Sequence, residues 1–144
     1  MTNCCIGNSA ASLSGEYREE RKMNGSFPVM RAPGVAPGRS SGSAFGNLVW
    51  AVATSDDKTL SLKGQIEASF RKIERVLAHF ETDKRCLISV NVLLADVEQK
   101  KEFDVNWREW VGDDPDHWPQ RCCVQAILSA GTLVEISVVA ARPS

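Results

Sequence analysis

The chain has 144 residues, 43% of them apolar, which is enough for one hydrophobic core and not two. Seventeen basic residues against eighteen acidic leave a net charge of -1, so no overall positive field would gather phosphates, and nucleic acid is not an expected partner. No apolar run approaches the roughly 20 residues of a membrane helix and no signal-peptide layout opens the chain, so no membrane partner and a cytoplasmic location are expected.

Residues 1–26 are rich in Ser, Asn, Gly, Glu and Arg with hardly an apolar cluster, the composition of a disordered tail. That leaves 27–144 as a single expected domain. From Arg31 to Gly46 the density of Pro, Gly and Ser predicts a loop or irregular extended arm leading into the first strand. Leu48 to Ala53 reads as a short buried strand. Between Leu60 and Phe80, Leu62, Ile66, Phe70, Ile73, Leu77 and Phe80 recur at steps of three and four, the apolar stripe of a helix. Thr82-Asp83 supplies turn chemistry after it. Leu87 to Leu94 alternates Ile88, Val90, Val92 and Leu94 with Ser89 and Asn91, which predicts a strand. Phe103, Trp107, Trp110 and Val111 return to helical spacing, and Gly112-Asp113-Asp114-Pro115 ends that second helix. Two strands close the chain, Arg121 to Leu128 and Leu133 to Ala140, and the Gly-containing link Ser129-Ala130-Gly131-Thr132 between them has hairpin length. This order predicts an α+β layer, with both helices on one face of the sheet and the other face open for further subunits to cover.

Little of the sequence carries recognisable catalytic chemistry. His79 and His117 have no metal-ligand or triad pattern around them, no phosphate-binding glycine motif is present, and Asp113-Asp114-Asp116 lacks the spacing of a calcium loop. The five cysteines, Cys4, Cys5, Cys86, Cys122 and Cys123, suit neither a disulfide framework nor a C-x-x-C metal site, so reduced thiols are expected. Arg121 stands out because it opens an otherwise apolar strand just after Trp118-Pro119. Its planar fork could grip a small carboxylate, or it could form a salt bridge with Glu135 across the expected hairpin. Glu135 is itself an unusual acid within an apolar strand, and it could orient water or accept a proton. Strand alternation gives Cys123 the parity of Arg121 and sends Cys122 to the other face.

Taken together, Pro119-Gln120-Arg121-Cys122-Cys123-Val124 and Val134-Glu135-Ile136 resemble the YjgF/Rid family of imine deaminases. Gly64-Gln65, Thr82-Asp83-Lys84, and Leu94-Ala95-Asp96 leading to Trp107-x-x-Trp110-Val111 extend the likeness from about Ala32 to Ala141, in the manner of a bacterial subgroup with a Trp-rich second helix. The resemblance implies a chorismate-mutase-like fold assembled as a homotrimer, its sheets forming a central barrel and its three sites lying between subunits. It also implies hydrolysis of enamine or imine acids, of the 2-iminopropanoate and 2-iminobutanoate type, to a 2-oxo acid and ammonia, with no metal or organic cofactor. In that reading Arg121 holds the substrate carboxylate, Glu135 positions water and the backbone carbonyl of Cys123 assists.

Three positions depart from the family pattern at places expected to bind substrate. A usual Gly-Pro-Tyr-Ser becomes Pro37-Gly38-Arg39-Ser40, so a tyrosine hydroxyl is replaced by Arg39 beside Ser40. A usual Asn in the second helix falls on Asp104, counting back from Trp107. A usual Gly after the first strand is Ala53, followed by Thr54. Asp104 would disfavour an anionic ligand, and Arg39 could offset it or bind a second acidic group. The alternative expectation is a non-catalytic, small-molecule-binding or holdase-like trimer. Ribonuclease activity, also attached to the family, has little support from this charge balance.

Overall fold

The computed structural model describes residues 28–143; the tail expected at 1–26, with Cys4 and Cys5, lies outside them. The described residues run β1 (Met30–Ala32), β2 (Gly42–Phe45), β3 (Leu48–Ala53), α1 (Leu62–His79), β4 (Leu87–Leu94), α2 (Lys100–Val111), β5 (Gln120–Gln125) and β6 (Val134–Ala141). All six strands join one mixed sheet in the order β1-β2-β3-β6-β4-β5. Alternation along β6 and β3 buries Val134, Ile136, Val138, Ala140, Val49 and Ala51, and against this face pack Ile66, Phe70, Ile73 and Leu77 of α1 with Phe103 and Trp107 of α2. The α+β layer read from the periodicities is the observed architecture.

Local chemistry explains the helix ends. The Ser61 hydroxyl accepts from the Gly64 amide at 3.2 Å, satisfying one free donor at the start of α1. Gly112, at φ +84°, turns the chain out of α2 where a side chain would be strained. Gln65, fully buried, donates to the Leu60 and Gly131 carbonyls and accepts from the Leu133 amide, tying the start of α1 to the loop that feeds β6.

Two expectations need correction. The first is the arm, which contains two strands rather than irregular chain, pairing Met30 with Ala44 and Ser43 with Trp50. Gly42 and Ala44 alternate inward there, but they are too small to register as an apolar stripe. A β-carbon at Gly42 would collide with Val76 and the Trp50 carbonyl, so the close approach of β2 to α1 requires glycine. The second is the hairpin: β5 and β6 do not pair. β4 lies between them, parallel to β5 and antiparallel to β6. The α2 crossover supplies the connection that a parallel β4/β5 pair needs, and the strongly apolar β4 takes an interior position, with a strand on each side. β5 is an edge strand and largely solvent-facing, not the otherwise apolar strand expected.

The face away from the helices is open. It exposes Trp50, Val52 and Val124 among Ser89, Asn91, Ser137 and Cys122, whose thiol lies 2.8 Å from the Asn91 side-chain oxygen. Among the described residues no helix is long and apolar enough to cross a membrane.

Candidate functional site

Aromatic packing between the helices sets the first half of the site. Phe70 stacks on Trp110 with ring centres 4.2 Å apart, and also meets Phe103 and Trp107, fixing the position of α2 on α1. Asp104 and Trp107 are thereby held beside β5. Arg121, aligned with Val90 and so on the helix side, places its guanidinium 5.3 Å from the Phe103 ring centre and 5.4 Å from that of Trp107.

Its carboxylate partner is Asp104, not Glu135. One guanidinium nitrogen donates to Asp104 Oδ1 at 2.6 Å, and Lys100 Nζ donates to Oδ2 at 2.7 Å. Partial burial pushes the Asp104 carboxyl up, but the hydrogen bonds and charges of Lys100 and Arg121 outweigh it and hold the group below the ordinary carboxylate value. The second terminal nitrogen of Arg121, Nη1, is buried and has no hydrogen-bond partner among the described residues. Two cations and one carboxylate leave this cluster one positive charge. Asn106, two residues from Asp104, is committed to the Glu102 carbonyl and takes no part. Cys123 shares the helix-side parity of Arg121; burial pushes its thiol pKa up, only partly offset by Arg121 and Lys100, so the thiol is held in its neutral form and is a poor nucleophile.

Glu135 belongs elsewhere. It aligns with Leu93 whereas Arg121 aligns with Val90, so the two side chains leave the sheet on opposite faces. The Arg121–Glu135 salt bridge, the alternative to carboxylate binding, does not form, and one chain cannot present both groups to a small ligand. Glu135 lines a cleft of about 610 Å³ bounded by the arm, the end of β3 and α1. Arg39, Ser40, Ala53 and Thr54 line the same cleft. The candidate residues therefore fall into two groups: Arg121, Asp104, Trp107 and Cys123 at β5 and α2, and Glu135, Arg39, Ser40 and Ala53 at the cleft. Lys58, Lys72, Arg75 and His79 also line the cleft and were not anticipated, because in sequence their helical and loop positions look like ordinary solvated charge. No cluster of three or more His, Cys, Asp or Glu suited to a metal occurs among the described residues.

The endoribonuclease L-PSP family model matches residues 46–142. Comparison with curated proteins returned no match. Among solved structures, an uncharacterized protein from Pseudomonas aeruginosa superposes with TM-score 0.73 at 28% identity, covering 81% of this chain and 100% of its own. A YjgF-family protein from Neisseria meningitidis matches with TM-score 0.73 at 22% identity, over 82% of this chain and 98% of its own. A Mycobacterium tuberculosis member of the YjgF/YER057c/UK114 family gives TM-score 0.70 at 19% identity, over 79% and 99%.

Proposed function

The chain belongs to the endoribonuclease L-PSP family, in which YjgF-like proteins stand, and from that premise we propose that it hydrolyses small 2-imino acids to 2-oxo acids and ammonia at a site shared by two copies. The observation that carries this reading is the unpartnered Nη1 of Arg121, a buried donor on a guanidinium whose other terminal nitrogen is occupied. Such a group favours an incoming carboxylate oxygen, since leaving it unsatisfied costs about 1–3 kcal/mol. The Phe103 and Trp107 rings restrict the guanidinium, so little orientation is lost on binding.

Glu135 comes from a second copy. Its carboxylate has no ion pair or hydrogen bond among the described residues and is free to act on water. It removes a proton from the water whose oxygen adds to the imine carbon. That proton is then delivered to nitrogen, giving a carbinolamine; Glu135 next passes the hydroxyl proton to nitrogen, the C–N bond breaks, and ammonia leaves as the carbonyl forms. The Cys123 backbone carbonyl, on an edge strand, accepts from the substrate N–H. Three copies covering one another's open faces, with Trp50, Val52 and Val124 inside, would form the trimer and bring Arg121 of one copy to Glu135 of the next.

Ammonia release from a 2-imino acid generated in place by an amino-acid oxidase tests the proposal. Arg121→Ala should abolish the acceleration with the assembly intact; undiminished turnover would refute it. A second reading, ligand binding without turnover, is favoured by one observation: Asp104 already occupies part of the Arg121 fork. Saturable 2-oxo acid binding with no acceleration for any imine would establish it instead.

A further inference from the structure

The cleft at Glu135 is more basic than a monocarboxylate requires. Arg39, Lys58, Lys72 and Arg75 line it against two acids, Asp56 and Glu135, an excess of two positive charges in a chain whose net charge is -1. Lys72 is already paired with Asp56 at 2.5 Å. Arg39, Lys58 and Arg75 have no carboxylate within ion-pair distance among the described residues. They come from three separate elements, the arm, the loop after β3 and α1, yet they line one cleft with the acid assigned to water.

We propose that the substrate carries a second carboxylate, so that the preferred ligand is a dicarboxylic 2-imino acid whose side-chain carboxylate lies between Arg39 and Arg75, with Lys58 at the rim. This deepens the deaminase reading and rests on it. The Arg121 cluster, with one positive charge after Asp104, takes the carboxylate next to the imine carbon. The cleft cations take the other, and a monoacid leaves them unneutralised. Asp104 then acts as a filter: it weakens the first carboxylate contact, so that a ligand lacking the second binds poorly. RNA suits the cleft less well, because two of its charged residues are acids and no Phe, Tyr or Trp lines it for base stacking.

The reaction keeps the same balance, with water consumed and one ammonia released for each oxo diacid formed. The test generates 2-iminosuccinate or 2-iminoglutarate with an oxidase acting on acidic amino acids, and 2-iminopropanoate with one acting on alanine, and compares kcat/KM for the full chain. The diacid should be preferred about tenfold or more. Arg39→Ala and Arg75→Ala should each bring that ratio towards one. Equal kcat/KM for the two classes, or a ratio that neither substitution moves, overturns the proposal while leaving the deaminase reading standing. If neither imine is hydrolysed, the deaminase reading fails, and calorimetry with 2-oxoglutarate against pyruvate decides the proposal alone. Tighter 2-oxoglutarate binding that Arg39→Ala removes supports it; equal affinities overturn it. Displacement of 2-oxoglutarate by equimolar single-stranded RNA would assign the cleft to nucleic acid and overturn it too.

Discussion

Replacing Asp104 with Asn removes one charge and keeps the shape of the side chain, including an oxygen able to accept from Arg121. In the native chain Asp104 sits 2.6 Å from an Arg121 nitrogen, so a carboxylate bound to the other nitrogen would lie roughly 5 Å from it. Asp104 is about one-third exposed (34%), and an effective dielectric of about 40–80 is appropriate there. Two like charges at that separation then repel by about 0.8–1.7 kcal/mol. Asp104→Asn should therefore lower KM for a 2-imino acid, and Kd for the matching 2-oxo acid, roughly fourfold to seventeenfold, with kcat little changed. Lys100, released from its bond at 2.7 Å, would add to the gain. Calorimetric titration with the 2-oxo acid, alongside steady-state ammonia release, measures both constants. An unchanged or larger Kd in a folded Asp104→Asn protein would refute the idea that Asp104 competes for Arg121.

Acid titration should show the same pair. Because Asp104 has a depressed folded-state pKa, its contribution to stability is present above the ordinary carboxylate pKa and is lost as pH falls through the lower folded value; Asp104→Asn should shrink that acid-side loss, read from melting curves at stepped pH. Arg121→Lys keeps a cation but loses the planar group held against Phe103 and Trp107, and kcat/KM should fall about tenfold or more. Gln65→Leu leaves the Gly131 carbonyl and the Leu133 amide without their partner and should cost about 2–4 kcal/mol in chemical denaturation. Gly42→Ala should also destabilise by about 1–3 kcal/mol, since the added carbon meets Val76 and the Trp50 backbone.

Periodicity made most of the fold legible. Ile66, Phe70, Ile73 and Leu77 mark α1, and Val90, Val92 and Leu94 mark β4, because those side chains are large and their spacing follows directly from which face is buried. β2 was hidden because glycine, serine and alanine do the alternating, at a place where only small residues fit under α1, and β1, Met30–Ala32, is too short to show a period. The false hairpin arose from a short Gly-containing link that is locally sound. What separates β5 from β6 is the insertion of the apolar β4 between them, a nonlocal pairing that no local signal carries. The site divides the same way. Arg121 was conspicuous as a charge entering a strand, and Asp104 was identified by its spacing from Trp107. That they touch each other, while Glu135 leaves the other face, depends on sheet order. The basic residues of the cleft gave no signal in one dimension because three separate elements bring them together.

The central claim is that Arg121 and Glu135 act on one substrate only when supplied by different copies. Mixing inactive Arg121→Ala chains with inactive Glu135→Gln chains, through unfolding and joint refolding or co-expression, tests it most directly. In randomly mixed assemblies a site that draws each residue from a different copy is intact about one time in four, so about a quarter of the native ammonia release should return. If mixed assemblies form and release no more ammonia than either parent, the shared site is contradicted.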